Sequence, residues 1–128
     1  MNDSMVNVDE RRADERYERS EHLSLKIVFS SENPGLLGKT IDGKTVDVSA
    51  SGLRISLNYP IKIDSVLDVW VNLKDQNKKF FLTGNVRWVS ETELGGVYMI
   101  GLVLRERSDT ITDLQEWKKM FKKQLSEA

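Results

Sequence analysis

The sequence contains no cysteine and only one histidine, His22, in its 128 residues. Without a thiol the chain cannot form a disulfide, a thiolate zinc site, an iron–sulfur cluster or a cysteine nucleophile. His22 begins an alternating apolar run, where a histidine at a strand edge is more common than a base or a metal ligand. We therefore expect no catalytic residue, no metal and no cofactor, and an enzyme is the least favoured class of function.

A surplus of one charge and long apolar runs are also missing. The chain carries 19 basic and 20 acidic residues, for a net charge of −1. Nucleic acid is not an expected partner, because phosphate binding or an oligonucleotide groove needs excess Lys and Arg on one face. No apolar run approaches the roughly 20 residues of a membrane span, and residues 1–10 lack the basic-then-apolar order of a signal peptide. The sequence predicts a soluble, cytoplasmic protein.

Two Gly-Lys-Thr triplets, which begin at Gly38 and Gly43, end like a phosphate-binding loop. Neither has the upstream glycine of such a loop, and neither opens a helical pattern. We interpret both as hairpin residues. Asp42-Gly43 in particular predicts a tight turn between strands over residues 37–41 and 45–48.

Apolar and polar residues alternate through most of the chain from Leu23 onward. Rows with a period of two predict half-buried strands, and turn-forming residues separate the rows. Six or seven short strands without intervening helices indicate an antiparallel sandwich or barrel. The clearest apolar rows are Leu23, Leu25, Ile27 and Phe29; Leu53, Ile55 and Leu57; and Leu67, Val69, Val71 and Leu73.

The two ends of the chain depart from this alternation. Residues 1–21 hold few large apolar side chains and a dense charge run, which cannot bury enough surface to fold alone, so we predict a flexible arm. Near the other end, apolar residues recur at helical intervals from Ile111, and Ser108 or Asp109 can cap a helix. The predicted organisation is an arm over residues 1–21, a β-barrel over 22–107 and an amphipathic helix over 108–128.

Two short motifs stand out from this all-β background: Arg12-Ala13-Asp14-Glu15-Arg16 in the arm, and Asp47-Val48-Ser49-Ala50-Ser51-Gly52 at a strand end. Together they resemble the RxxxR and [DN]xSxxG signature of the PilZ domain family, whose members are receptors for the second messenger cyclic di-GMP. Val86-Arg87-Trp88 and Ile100-Gly101-Leu102 also fall in the family's order, so the resemblance covers about residues 10–105. It implies a six-stranded antiparallel β-barrel with a C-terminal α-helix.

The resemblance implies that Arg12, Arg16, Asp47, Ser49 and Gly52 bind the ligand. Their chemistry suits a guanine nucleotide. An arginine can donate two hydrogen bonds to guanine O6 and N7, stack on a base or pair with phosphate. An aspartate can accept from the N1–H and N2–H₂ edge, which adenine lacks, and a glycine allows a positive φ or a close backbone approach.

Alternation along the strand predicts that Asp47 and Ser49 face outward while Val46 and Val48 face the core. Taken singly, each motif has a simpler interpretation. Arginines among acidic residues are typical of a solvated, self-paired segment, and Asp-x-Ser is typical of a turn that bonds its own backbone. The occurrence of both motifs in the family's order favours ligand binding.

Arg11 and Trp88 complete the candidate site. Arg11 stands just before RxxxR, where the resemblance implies an influence on stoichiometry, and it predicts two ligand molecules per chain. Trp88 shares its alternation face with Leu82 and Val86, which favours core packing, whereas in the family an aromatic near this place can contact the base. Trp70 lies on a polar face, where it is either covered by the terminal helix or exposed for a partner.

The sequence therefore predicts a non-catalytic receptor for cyclic di-GMP. The arm closes over the ligand on the barrel surface, and an unidentified effector protein receives the signal. Family members act on flagellar motility, type IV pili, polysaccharide production or biofilm formation, and the sequence does not choose among these. The alternative is a PilZ-like protein-interaction module that does not bind nucleotide.

Overall fold

The computed structural model describes residues 15–18, 20–29, 37–74 and 77–127, with the side chains of residues 123–127 left aside. Seven strands and one long helix account for most of these residues. The strands are β1 (Tyr17–Glu18), β2 (His22–Phe29), β3 (Thr40–Val48), β4 (Gly52–Leu57), β5 (Val66–Leu73), β6 (Lys78–Glu91) and β7 (Tyr98–Arg105), and the helix is α1 (Leu114–Glu127).

The strands β2 to β7 form a closed antiparallel barrel. Their order is β3-β2-β5-β6-β7-β4, and pairing between β3 and β4 completes the ring. The two-residue strand β1 is added outside the ring, where Tyr17 and Glu18 pair with Val48 and Asp47 of β3. The predicted six-stranded antiparallel β-barrel with a C-terminal helix is confirmed. No helix among the described residues is long and apolar enough to cross a bilayer.

The barrel interior is filled by the apolar rows that alternation predicted. All four residues of the β5 row and two of the three in β4 have no exposed surface, because every second side chain of these strands points inward. Phe29 is the exception in the β2 row, at 51% exposed, because a register shift between Ile27 and Phe29 turns it outward. Helix α1 adds Leu114, Trp117 and Phe121 to the same core.

The predicted hairpin at Asp42-Gly43 is wrong. Strand β3 runs through both residues, and Gly43 pairs with Leu23 on one side and with Leu57 on the other. The turn lies earlier, at Gly38, whose φ is +79° and whose N–H donates to the carbonyl oxygen of Ile27. The Asp-Gly pair was misleading because extended backbone also admits glycine where neighbouring strands come close.

Helix α1 begins later than the sequence predicts, at Leu114, so Ser108 and Asp109 do not cap it. Before it, Asp113 is tied to β6: its carboxylate accepts the Phe81 N–H and its own N–H donates to the Phe81 carbonyl oxygen. Ile111, predicted on the apolar face, is 92% exposed because it belongs to this connecting loop. Part of the predicted arm also contacts the barrel, since Tyr17 and Glu18 form β1.

Candidate functional site

A bulge in β3 sets the geometry of the Asp47 motif. The pairing between β3 and β4 shifts between Thr45 and Asp47, so Val46 is the extra residue. Thr45 and Val48 are buried on either side of the bulge, and Val46 is only half-buried. The prediction that Val46 faces the core is therefore wrong, because alternation does not continue across a bulge.

Asp47 lies on the outer side of the barrel beneath two arginines. Nη1 of Arg16 donates a 3.0 Å hydrogen bond to Oδ1, and Nε of Arg54 donates a 2.6 Å hydrogen bond to Oδ2. Nη2 of Arg54 donates to Oδ2 as well. The carboxylate side chain is 5% exposed, whereas the arginine side chains are 45% and 41% exposed. The outward direction predicted for Asp47 holds, but the arginines cover it.

The charges of this cluster reinforce one another. Burial by itself would raise the pKa of Asp47, but hydrogen bonds from Arg54 and Arg16 bring that pKa below its ordinary value of 3.8. The same carboxylate raises the pKa of Arg54. The three side chains together carry one net positive charge, which suits an anionic ligand.

Ser49 does not present its hydroxyl to solvent as predicted. The residue has no exposed surface, and its hydroxyl is used within the turn that joins β3 to β4. Oγ accepts the Gly52 N–H at 3.1 Å and donates to the Gly52 carbonyl oxygen at 3.3 Å. The Ser49 N–H donates to the same oxygen at 2.9 Å. Ser49 thus shapes the turn that places Asp47 and Gly52 beside each other.

Gly52 is required by close packing rather than by a positive φ. A β-carbon at this position would lie 2.8 Å from the carbonyl oxygen of Leu102, below any ordinary contact. Nη2 of Arg16 would lie 3.6 Å from the same β-carbon, so the arginine sits directly over the glycine. Arg16, Asp47 and Gly52, predicted from two separate motifs, therefore meet at one corner of the barrel.

Trp88 lies outside the core, contrary to the packing favoured by alternation. Another register shift, between Val86 and Trp88, reverses the faces of β6 and leaves the indole 38% exposed. The ring lies against Gly101, where a β-carbon would overlap it. Trp70 is covered by Phe81 of the neighbouring strand, at a ring-centroid distance of 5.2 Å, rather than by α1.

The exposed indole and the Asp47 cluster lie in one row across the barrel surface. Trp88 pairs with Gly101, Gly101 with Arg54, and Arg54 with Asp47. Because adjacent strands are about 4.8 Å apart, the backbone of Gly101 beneath the indole is roughly 10 Å from that of Asp47. Asp47 and Arg54 also line an open groove of about 550 Å³ between β1 and β4, together with Glu18 and Lys44.

Helix α1 contacts the back of this corner. The indole Nε1–H of Trp117 donates a 2.9 Å hydrogen bond to the Ser49 carbonyl oxygen. Tyr17, the residue after Arg16, packs on Phe121 with ring centroids 5.6 Å apart. Both segments that carry site residues therefore rest on the same helix.

Two predicted site residues, Arg11 and Arg12, lie outside the described residues. Arg54, in contrast, donates to the Asp47 carboxylate and was not predicted, because it falls outside both motifs. Its outward position in β4 and its place two residues after Gly52 were the available signals. The described residues hold no cluster of three His, Cys, Asp or Glu side chains suited to a metal ion.

Comparison with known proteins identifies the fold. The family model of the PilZ domain matches residues 10–117. No curated protein sequence matches the chain.

Among solved structures, one match is the Bacillus subtilis inhibitor of motility MotI/DgrA, with a TM-score of 0.59 and 14% identity over 88% of this chain and 50% of that one. The MrkH–c-di-GMP complex of K. pneumonia has a TM-score of 0.60 and 17% identity over 91% of this chain and 51% of that one. The PilZ domain of CeSA from a cellulose-synthesizing bacterium has a TM-score of 0.54 and 10% identity over 88% of this chain and 95% of that one.

The chain spans about half the length of MotI/DgrA and MrkH, so these likenesses concern the shared barrel. The family match extends from the RxxxR motif through the barrel to Trp117 in α1. The chain belongs to the PilZ domain family.

Proposed function

We propose that this chain is a non-catalytic receptor for cyclic di-GMP, which binds at the corner formed by Arg16, Asp47 and Gly52. The observation that carries the proposal is the 3.0 Å contact between Arg16 and Asp47, which joins the two family motifs across 31 residues. The MrkH structure contains the same ligand on a similar fold. Family membership and the convergence of the motifs support the same site.

The row from Asp47 to Trp88 on the outer side of the barrel fits the shape of this ligand, which has two guanines joined by two phosphates. Asp47 offers a carboxylate to the donor edge of one guanine, and the arginines offer charge to the phosphates. Trp88 offers an aromatic surface at a distance that a second base can reach, and stacking of a base on an aromatic side chain contributes about 1–3 kcal/mol.

The amino-terminal segment closes over the bound ligand in this proposal. Arg16 already contacts Asp47. Arg12 stands four residues earlier in the sequence, and Arg11 immediately precedes it. Ordering a segment costs about 1–2 kcal/mol per backbone residue, so only its central part becomes fixed. Arg11 adds a cation that favours two stacked ligand molecules per chain. An effector protein then recognises the closed form, in the cytoplasm where the second messenger is produced.

Calorimetry with cyclic di-GMP, cyclic di-AMP and GTP, each added separately to the chain, tests the proposal. We expect binding heat with cyclic di-GMP alone. Cyclic di-AMP lacks the N1–H and N2–H₂ donors of guanine, and GTP has one base where cyclic di-GMP has two. A stoichiometry of two supports the role of Arg11, and a stoichiometry of one rejects it. The absence of binding heat with all three ligands would contradict the proposal and favour the alternative, a protein-interaction module that does not bind nucleotide.

A further inference from the structure

The two arginines on Asp47 bind its carboxylate unequally. Arg54 directs two nitrogens, Nε and Nη2, to a single oxygen, Oδ2. Arg16 directs one nitrogen, Nη1, to the other oxygen, Oδ1. A carboxylate accepts about four hydrogen bonds in total, two at each oxygen. Oδ2 therefore has no acceptor site left, and the remaining capacity lies on Oδ1.

The two arginines are also anchored differently. Arg54 lies inside β4, where its backbone pairs with β3 on one side and with β7 on the other. Its neighbours Leu53 and Ile55 have no exposed surface, so the strand is held from inside the barrel. Arg16 precedes β1, a strand of two residues that, among the described strands, pairs with β3 alone. Arg16 can therefore leave Asp47 for another partner with little effect on the barrel, whereas movement of the Arg54 backbone would disturb the barrel core.

We propose that Arg54 is a positioning residue of the ligand site: it stays on Oδ2 in the bound state and fixes the carboxylate so that Oδ1 is available to guanine once Arg16 turns to the ligand. This inference rests on the proposed function. It divides the carboxylate between a permanent partner and an exchangeable one, and it assigns guanine recognition to one oxygen atom of Asp47.

A double-mutant cycle between positions 54 and 47 tests this division. Arg54→Met removes both hydrogen bonds to Oδ2 and keeps most of the side-chain volume, and Asp47→Asn removes the carboxylate. The affinity for cyclic di-GMP is measured by calorimetry for the wild type, both single variants and the double variant. A positioning residue acts through Asp47. We therefore expect Arg54→Met to lower the affinity for cyclic di-GMP at least tenfold in the wild-type background and less than threefold in the Asp47→Asn background.

Arg105→Met is the matched control. Arg105 is an exposed arginine on the outer side of β7, four residues along the strand from Gly101. Its replacement removes the same charge from the same molecule without touching Asp47, so the affinity should change less than twofold. An equal loss in this control would mean that the Arg54 effect is general electrostatic attraction, and the inference would be overturned.

The pH dependence of binding supplies a second readout, because a mere loss of stability in Arg54→Met would not produce the same shift of the pH profile. The charged groups that face Asp47 are Arg16 and Arg54, with Glu18 of β1 and Lys44 in the adjoining groove. Without Arg54 the buried carboxylate takes up a proton more easily. We expect the affinity of Arg54→Met to begin falling at a higher pH than that of the wild type as the solution is acidified.

The outcomes separate this inference from the proposed function. A wild-type chain that does not bind cyclic di-GMP contradicts both. A wild-type chain that binds, together with single-variant losses that add in the double variant, overturns the inference alone, because additive effects mean that Arg54 contacts the ligand independently of Asp47. Wild-type affinity and an unchanged pH profile in Arg54→Met overturn it as well.

Discussion

The indole Nε1–H of Trp117 donates a hydrogen bond to the carbonyl oxygen of Ser49 across 68 residues of sequence, in a fully buried setting. The bond ties the first turn of α1 to the turn between β3 and β4. Since Trp117 also packs against Phe80 and Phe121, its ring serves both the apolar core and a polar group at the candidate site.

Replacement of Trp117 by Phe separates these two roles. Phe keeps an aromatic ring in the core but removes the donor, which leaves the Ser49 carbonyl oxygen without its indole partner. We expect the free energy of unfolding in urea to fall by about 1–3 kcal/mol, the usual cost of an unsatisfied buried group. Trp70→Phe is the control, because Trp70 lies half-buried on the outer face. Equal losses in both variants would show that ring size, not the hydrogen bond, matters.

The substitutions Arg12→Ala, Arg16→Ala and Asp47→Ala should each weaken cyclic di-GMP binding at least tenfold in calorimetry. Arg16 is 45% exposed, so its removal should change the free energy of unfolding by less than about 0.5 kcal/mol. The two arginines that contact Asp47 are 45% and 41% exposed and stay hydrated without it, so Asp47→Ala should lower the binding affinity more than it lowers the free energy of unfolding. Wild-type affinity in all three variants would contradict the proposed site.

Gly52→Ala should reduce both stability and binding. The new methyl group would lie 2.8 Å from the Leu102 carbonyl oxygen, which is backbone and cannot turn away, and overpacking of this kind costs about 1–3 kcal/mol. Gly95→Ala is the matched control, since nothing lies within 4 Å of a β-carbon there. Thermal unfolding of the two variants gives the comparison, and equal melting temperatures would contradict the close approach.

Trp88→Ala should weaken cyclic di-GMP binding at least fivefold and change stability little, because the indole is already 38% exposed. Loss of one base–aromatic stack corresponds to about 1–3 kcal/mol. Leu94→Ala, at a hairpin tip where the side chain is 71% exposed, is the control for removal of a surface apolar group. Affinity that is the same in Trp88→Ala and the wild type would remove Trp88 from the site.

The Asp47 ion pairs should make stability depend on pH. The pKa of Asp47 is lowered in the folded protein, so its pairing stabilises the fold fully above the ordinary value of 3.8 and is lost as the pH falls through the lower folded value. Urea unfolding between pH 2.5 and 7 should show the wild type losing stability over this range more steeply than Asp47→Asn. Parallel curves for the two proteins would show that the ion pairs do not stabilise the folded state.

The core of the barrel could be predicted from the sequence, because burial depends on a period of two that apolar residues display directly. The row from Leu67 to Leu73 is an example, since all four of its residues are fully buried. The faces of Val46 and Trp88 could not be predicted, because each lies at or beside a bulge. A bulge depends on pairing between strands, and no local pattern marks it.

The candidate site was predictable only in part for a related reason. Arg16, Asp47 and Gly52 belong to motifs with fixed spacing, so sequence could join them. Arg54 could not be distinguished from any other outward-facing arginine until the register of β3 and β4 placed it opposite Asp47. Strand alternation predicted an outward hydroxyl for Ser49. In the folded chain its hydroxyl bonds to Gly52 and its carbonyl oxygen to Trp117, and neither partner is apparent from the sequence.

The contact between Trp88 and Gly101 restricts how this surface can vary among related chains. Any side chain at position 101 would occupy the space of the indole ring. A relative that carries alanine or a larger residue at the equivalent of position 101 must therefore have a smaller side chain at the equivalent of position 88, another rotamer of the ring there, or a different backbone course in β6. We therefore expect positions 88 and 101 to covary among related chains, with glycine at position 101 wherever a large ring at position 88 packs against β7.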